Sequence, residues 1–282
     1  MKVAVIGAGY VGLATAWHFL QRKVAVTVFD AGPGASHAST GLLHPYPGKK
    51  GLMSWRAEEG MSESITLLQQ ASEDGSVFEQ SGILRTFENG ETKLIKEGIV
   101  VYSRPYLKAL KDLCKDAEFQ CKKIQNVQEL DSFDCVILAA GAGILEFEEC
   151  KNLPLKRTIG QSLLCRGLKK LPIPLLFPGG HITPTEDPGL YQVGSTYEHT
   201  TSPDQEKARA LLDNAIVYCP EARHFEILEI RSGVRISPKV GYQPIVEKLQ
   251  SNVFIMTGFG SRGLLYHAMM SKMLVSSVLN TV

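Results

Sequence analysis

The chain has 282 residues, 44% hydrophobic and 21% charged, which excludes disordered and fibrous classes and leaves room for one large core or two smaller ones. Lys plus Arg number 30 against 29 Asp plus Glu, a balance that argues against broad electrostatic capture of nucleic acid. No apolar run reaches the roughly 18 residues of a membrane span, and the first candidate strand starts at Lys2 with no room for a signal peptide ahead of it, so a cytoplasmic protein is expected.

Lys2 to Gly7 (KVAVIG) is a short apolar run closed by a glycine, the pattern of a strand buried on both faces. From Tyr10 to Gln21 the spacing of Val11, Leu13, Ala14, Ala16, Trp17 and Leu20 predicts a packed helix. Val24 to Asp30 is a second strand, and the helix supplies the crossover that a parallel pair needs. Ala31 to Gly51 is rich in Gly, Ser and Pro and reads as a loop. Trp55 to Ala71 is predicted helical. Gly82 to Phe87 and Ile99 to Tyr102 are predicted strands, with the hairpin signal Asn89-Gly90 between them.

Pro105 opens a helix reaching about Lys115. Phe133 to Gly141 is a buried strand running into a glycine turn. Thr158 to Tyr197 is strand-like and broken by prolines and glycines. Ser202 to Gln205 (SPDQ) reads as a helix start with a serine cap and Gln at the capping-box position. Val253 to Gly258 is a last buried strand, and Gly263 to about Val278 a largely apolar helix. The pattern is α/β with an inserted antiparallel part. The six cysteines form no C-x-x-C pair and have no histidine cluster beside them, so reduced thiols are expected and no metal site.

The first chemistry-bearing motif is Gly7-x-Gly9-x-x-Gly12 between a strand and a helix. Gly7 permits the tight turn, Gly9 lets the backbone approach a pyrophosphate, and Gly12 lets helix and strand pack closely. The helix N-terminus adds N–H donors and partial positive charge. Asp30 ends the second strand, 21 residues beyond Gly9, where a carboxylate accepts ribose hydroxyls. A dinucleotide is therefore expected at the N-terminal unit, which by itself does not separate NAD from FAD. Gly7 to Thr15 (GAGYVGLAT) is also similar to the start of NAD-dependent sugar-nucleotide dehydrogenases, although no cysteine here sits in the downstream glycine loop those enzymes use.

Four further segments, in order, extend a resemblance from Met1 to the C-terminus. They are Gly34 to Leu43 (GASHASTGLL), Ile137 to Gly143 (ILAAGAG), Gly233 to Pro238 (GVRISP) and Thr257 to Leu264 (TGFGSRGL). With the first motif they resemble the FAD-dependent D-amino-acid oxidase superfamily, which includes glycine oxidase and sarcosine oxidase. The resemblance implies a Rossmann-like FAD-binding domain with a reduced, mainly antiparallel α+β substrate domain. Its implied boundaries are 1–55, 99–150 and 231–282 for the FAD-binding parts, and 56–98 and 151–230 for the substrate parts. The stretch from Lys49 to Glu97 is short for the superfamily.

Carried over residue by residue, the resemblance places FAD against Gly7, Gly9, Tyr10, Val11, Gly12, Asp30 and Ala31. The flanking loop adds Ala35, Ser36, Ser39, Thr40, Gly41 and Leu42. The second strand–turn adds Ala140, Gly141 and Gly143, and the C-terminal turn adds Gly258, Gly260, Ser261, Arg262, Gly263 and Leu264. The last helix would point its N-terminus at the flavin pyrimidine ring, with Arg262 reinforcing its field. Arg235 matches the arginine that fixes a substrate carboxylate, a task suited to a guanidinium fork. Two residues separate Arg235 from Pro238, where the superfamily pattern has Arg directly before Pro.

His44 and Tyr46, just beyond the loop, are candidate pocket groups. His37 stands one residue out of register with the histidine that carries FAD covalently in some relatives, and reads as a polar loop residue. His181, His199, His224 and His267 have no spacing that suggests a metal.

The implied activity is oxidation of the C–N bond of a small amine or amino acid, with hydride passing to flavin N5 and the imine hydrolysing. Gly260-Ser-Arg-Gly263 is also similar to the oxidase domain of the bacterial enzyme that modifies tRNA wobble uridines, which makes a modified tRNA base an alternative substrate. A flavin-binding protein without turnover is a third reading, motivated by the short Lys49–Glu97 stretch.

Overall fold

The computed structural model describes residues 1–167 and 171–280. Leu168 to Lys170, inside the stretch expected to be strand-like, and Thr281 and Val282, at the end of the expected third cofactor-binding part, lie outside the described residues.

In chain order the elements are β1 (Lys2–Ile6), α1 (Tyr10–Leu20), β2 (Ala25–Asp30), β3 (Leu42–Leu43), α2 (Ala57–Ala71), β4 (Phe78–Glu79), β5 (Ile83–Thr86), β6 (Thr92–Ile95) and β7 (Ile99–Val101). They continue with α3 (Ser103–Leu113), β8 (Glu118–Cys121), β9 (Cys135–Leu138), β10 (Leu155–Arg166), β11 (Leu175–Phe177), β12 (Gly180–Pro184) and β13 (Leu190–Gly194). The last are α4 (Gln205–Tyr218), β14 (Glu226–Pro238), β15 (Ile245–Lys248), β16 (Val253–Thr257) and α5 (Gly263–Asn280).

The strands form two large sheets and one small one. The six-stranded sheet runs β15-β16-β9-β1-β2-β8. All its pairs are parallel except β15 with β16. β1 is apolar after Lys2, and Val3, Ala4 and Val5 have no exposure, as a strand covered on both faces requires. β9 and β2 flank β1 on opposite sides, so the chain switches direction across the sheet at β1 and leaves a crevice at the strands' C-terminal ends, where such sheets bind ligands.

Helices α1, α2, α3 and α5 share the core on one side of this sheet. α2 comes from the stretch expected to belong to the substrate part, yet it packs on α5: a Cβ on Gly60 would lie 2.5 Å from the Leu265 carbonyl oxygen. The Ser64 hydroxyl donates to the Leu264 carbonyl at 2.8 Å, fixing where α5 begins.

The seven-stranded sheet runs β14-β10-β13-β12-β11-β5-β6 and is antiparallel except where β5 meets β11. α4 covers it through Ala208, Leu211 and Ala215. The short stretch Lys49–Glu97 adds only β5 and β6 to this sheet, and the chain between β10 and β14 supplies the rest.

Three expectations are corrected. The hairpin partner of β5 is β6, not the strand at Ile99. β6 is exposed except at Ile95 and alternates charged and apolar residues weakly, so its sequence does not announce a strand, while β7 pairs with β3 and β4 in the small sheet. The cap of α4 is Asp204, whose carboxylate accepts the amides of Glu206 and Lys207, because an ionised acceptor at the helix start outcompetes Ser202. β14 also extends from Glu226 to Pro238, well beyond the segment that was legible as a motif.

Candidate active site

The glycine turn after β1 is shaped by backbone contact. A Cβ on Gly12 would stand 1.8 Å from the Gly7 carbonyl oxygen, so helix α1 sits directly on the turn. Gly7 has φ +104°, and a Cβ there would lie 2.5 Å from the Ala139 carbonyl oxygen at the end of β9. Only glycine meets both conditions.

Gly9 caps α1 without any side-chain hydrogen bond. Tyr10 N–H donates to Ser36 Oγ at 3.3 Å, while the amides of Val11 and Gly12 have no acceptor among the described residues. Asp30 accepts Ala8 N–H at 2.9 Å and Gly32 N–H at 3.2 Å, holding the turn while keeping lone pairs for a ligand.

A second helix end faces the same crevice. The amides of Gly263 and Leu264 at the start of α5 have no acceptor among the described residues. The turn before it is bound to β14: Gly260 N–H donates to the Ile236 carbonyl at 2.8 Å, and a Cβ on Gly260 would lie 2.5 Å from Ser237 Oγ. Two helix N-termini with free N–H groups, and backbone that approaches without Cβ atoms, fit an elongated anionic dinucleotide. Ala140, Gly141 and Gly143 lie in the turn after β9, with Gly143 N–H on the Ala140 carbonyl at 3.0 Å, and Ala31 lies beside Asp30 at the end of β2.

The flanking loop is clamped on both sides. Ala35 to Ala38 form a short 3-10 turn against β14, where a Cβ on Gly233 would lie 3.0 Å from Ala35 Cα. Ser39 Oγ accepts Gly41 N–H at 3.3 Å. Gly41, at φ +80°, presses on β7, and its carbonyl accepts Val101 N–H at 2.7 Å. Leu42 pairs with Val100. Thr40 is tied to β12: its hydroxyl pairs with His181 Nε2 at 2.6 Å, and its carbonyl accepts the Thr183 hydroxyl at 3.0 Å.

Arg235 lies on β14 and crosses β10 at Gly160, where a Cβ would stand 1.6 Å from Nη2. Nη2 donates to Ser195 Oγ at 3.1 Å and to the Thr196 carbonyl at 3.0 Å, and the guanidinium lies 4.4 Å from the centre of the Tyr197 ring. No carboxylate among the described residues pairs with it. The guanidinium is held in place yet keeps spare donors in a planar fork, the geometry that matches a carboxylate.

His181 and His44 stand near it. Burial, then the Arg235 charge, pushes His181 down to about 3; burial, then the Arg85 charge, pushes His44 down to about 4. Both rings are neutral at pH 7. His44 Nδ1 accepts the Tyr46 amide at 3.3 Å, so its proton is on Nε2. Arg85 is 6% exposed and donates to the carbonyls of Tyr46, Gly48 and Lys49, which fastens the loop after His44 to the seven-stranded sheet.

Not every expected residue converges. The side chain of Tyr46 lines a separate cavity of about 500 Å³ with Met53, Glu58, Met61 and Glu97. Desolvation and then Glu97 raise its phenol above the ordinary value. Tyr10 offers the site only its amide; its ring lies in the core 5.7 Å from Tyr106 and 5.8 Å from His267. Leu264 is likewise buried and contributes backbone alone, and Ser261 is exposed.

Arg262 does not extend along the helix end but reaches to the 48–54 loop, donating from Nε to Ser54 Oγ at 3.2 Å with its guanidinium 4.1 Å from the centre of the Tyr242 ring. His181, Ser195, Tyr197 and Arg85 join the site without a local sequence signal. Gly160 and Gly194, glycines inside strands, mark where something approaches closely, and at Gly160 that something is Arg235.

A profile of the family described as "FAD dependent oxidoreductase" matches residues 2–102 and 94–277. Among solved structures, glycine oxidase from Geobacillus kaustophilus superposes with a TM-score of 0.85 at 17% identity, over 99% of this chain and 95% of that one. Iminodiacetate oxidase from Chelativorans sp. BNC1 gives 0.82 at 17% identity over 99% and 95%. L-proline dehydrogenase from P. horikoshii gives 0.81 at 16% over 99% and 93%. At these identities the likeness is one of fold.

Proposed function

The chain belongs to the DAO family of FAD-dependent oxidoreductases, and from that premise we propose that it oxidises the C–N bond of a small amine or amino acid whose carboxylate is held by Arg235. An FAD-dependent enzyme leaves no place for the NAD-dependent sugar-nucleotide dehydrogenase reading. The observation that carries the proposal is the Arg235 guanidinium, positioned by Ser195, Thr196 and Tyr197 and paired with no acid among the described residues. The named activities of the structural neighbours, on glycine, iminodiacetate and proline, agree with a substrate of this class.

FAD held at the site would supply the two-electron acceptor for oxidation of the amine-bearing carbon to an imine, which water would hydrolyse to a carbonyl compound and free amine or ammonia. The amides of Val11 and Gly12 and the Asp30 carboxylate would hold its pyrophosphate and ribose, and the Gly263 and Leu264 amides would face its ring end. Arg235 would fix the carboxylate by a two-point contact and so set which C–H bond is presented. Its charge also lowers the proton affinity of an amine bound beside it, favouring the neutral amine whose lone pair drives hydride loss. His181 and His44, held neutral, add no charge of their own, so Arg235 sets this effect. His181 instead fixes Thr40 in the flanking loop.

The test is Arg235→Gln, with the flavin spectrum and steady-state kinetics on glycine, sarcosine and D-amino acids. The variant is expected to retain FAD and lose about 100-fold or more in kcat/KM. Unchanged kcat/KM with full flavin content would refute a carboxylate-binding Arg235.

A further inference from the structure

Three arginines lie at least partly buried around the site, and they are satisfied to very different degrees. Arg85 has three carbonyl acceptors and the face of Phe87. It is a clamp, and its charge is spent on backbone. Arg235 has one carbonyl and one hydroxyl. Arg262 has one hydroxyl, that of Ser54, for five N–H donors. Desolvation lowers its pKa, so its charge is carried partly out of water without compensation by an acid. Groups in that position are normally paired, because an uncompensated charge in a dehydrated place is costly.

The segments that carry Arg262 and Arg235 are joined. Gly260 N–H is bonded to Ile236, next to Arg235, so the turn that carries Arg262 is fastened to the strand that carries Arg235. Tyr197, whose ring supports Arg235, is close enough to act electrostatically on Arg262 as well. Tyr197 and Tyr242, against whose rings the two guanidiniums lie, are 63% and 64% exposed, so both cations stand where a solute can reach them. Neither arginine pairs with a carboxylate among the described residues. A single substrate carboxylate neutralises one of them and leaves the other.

We propose that Arg262 is a specificity-determining residue that receives a second carboxylate, so that the substrate is an amino dicarboxylate and not a simple monocarboxylic amino acid. The inference rests on the reading of Arg235 given above. It uses the two planar forks as two separate anion sites, one for each carboxylate.

The experiment is isothermal titration of the FAD-loaded enzyme with acetate and propionate, and with malonate, succinate and glutarate. At least one dicarboxylate is expected to bind about 10- to 100-fold tighter than either monocarboxylate. Arg262→Gln is expected to remove that preference while leaving monocarboxylate binding unchanged. Arg262→Lys, which keeps the charge, is expected to preserve most of it.

The inference is overturned if no dicarboxylate is preferred, or if Arg262→Gln keeps the preference. It is also overturned if both variants lose FAD from the visible spectrum, which would make Arg262 a residue that holds the cofactor. Arg235→Gln separates the two readings: it should weaken both ligand classes, and if it weakens neither, the Arg235 reading falls with the proposal built on it.

Discussion

The two large sheets offer their functional groups in opposite ways. At the ends of β1 and β9 in the six-stranded sheet the working parts are backbone amides and carbonyls, and side chains matter by not being there: Gly7, Gly9 and Gly12 are spaces. On the seven-stranded sheet the working parts are long side chains, Arg235, His181 and Arg85, reaching over neighbouring strands to points far from their own Cα atoms. The first arrangement is rigid because backbone touches backbone. The second is adjustable because the far end of a side chain can move. On the proposed function, cofactor position is therefore built into the frame, while substrate choice sits on groups that can change without disturbing it.

Substitutions that add one methyl group to each region break or sharpen this contrast. The largest effect is expected for Gly12→Ala. The new Cβ would meet the Gly7 carbonyl oxygen at 1.8 Å, and neither partner can swing aside, since one is in α1 and the other in the turn after β1. Overpacking of this kind costs about 3 kcal/mol. Urea unfolding should show that loss, and the purified variant should be depleted of FAD. Full flavin content at wild-type stability would contradict the packing assigned to Gly12.

The same contrast explains what was legible in the sequence. β1, α1 and β2 are contiguous, and their contacts lie within 30 residues, so the glycine spacing and Asp30 state the geometry locally. Arg235 was legible only through the order of motifs along the whole chain. Its partners Ser195, Thr196 and Tyr197 lie 38 to 40 residues away and are brought to it because β10 pairs with both β13 and β14. His181 is not legible in the sequence because a histidine alone on a short strand has no periodic signature, and its contact with Thr40, 141 residues earlier, comes only from the fold. Tyr46 illustrates the converse. Proximity in sequence to the flanking loop does not fix which way a side chain turns, and Arg85 holds the backbone so that Tyr46 faces the α2 cavity.

A smaller effect is expected from acid, and it tests whether the interior behind the glycine turn is as rigid as its packing implies. His267 has no exposure; with Nδ1–H donated to the Leu264 carbonyl at 3.0 Å, Nε2 accepts the Tyr106 hydroxyl at 2.7 Å. Burial pushes its pKa down from 6.5 to about 4. The unfolded chain therefore takes up a proton at a pH where the folded chain does not. The stability contribution is complete above about pH 6.5 and is lost as pH falls towards 4. His18, His44 and His181 are depressed in the same sense and steepen the loss. Each can contribute up to about 1.4 kcal/mol per pH unit in that window. His267→Gln keeps a donor for Leu264 and an acceptor for Tyr106 without the titration. Its unfolding free energy should fall less steeply between pH 6.5 and 5, by about 1 kcal/mol per unit. An unaltered slope would mean that His267 is already protonated or exposed.

The smallest stability effect is expected where the same methyl group is added on the other sheet. Gly160→Ala would place a Cβ 1.6 Å from Arg235 Nη2, the closest approach at any glycine described, closer even than at Gly12. By distance alone it should be the worse substitution. The obstacle, however, is the end of a flexible side chain on a strand whose backbone pairing with β10 does not involve the guanidinium. Arg235 can swing off Gly160, giving up its contacts with Ser195 and Thr196 but not its strand register. Unfolding free energy should change by less than about 1 kcal/mol, near the net worth of one hydrogen bond, and FAD should stay bound. KM for a carboxylate-bearing substrate should nevertheless rise at least 10-fold, because the guanidinium no longer lies where Tyr197 and Ser195 hold it. If Gly160→Ala instead unfolds the protein as Gly12→Ala does, the guanidinium is part of the rigid frame, and the division between a fixed cofactor region and an adjustable substrate region does not hold.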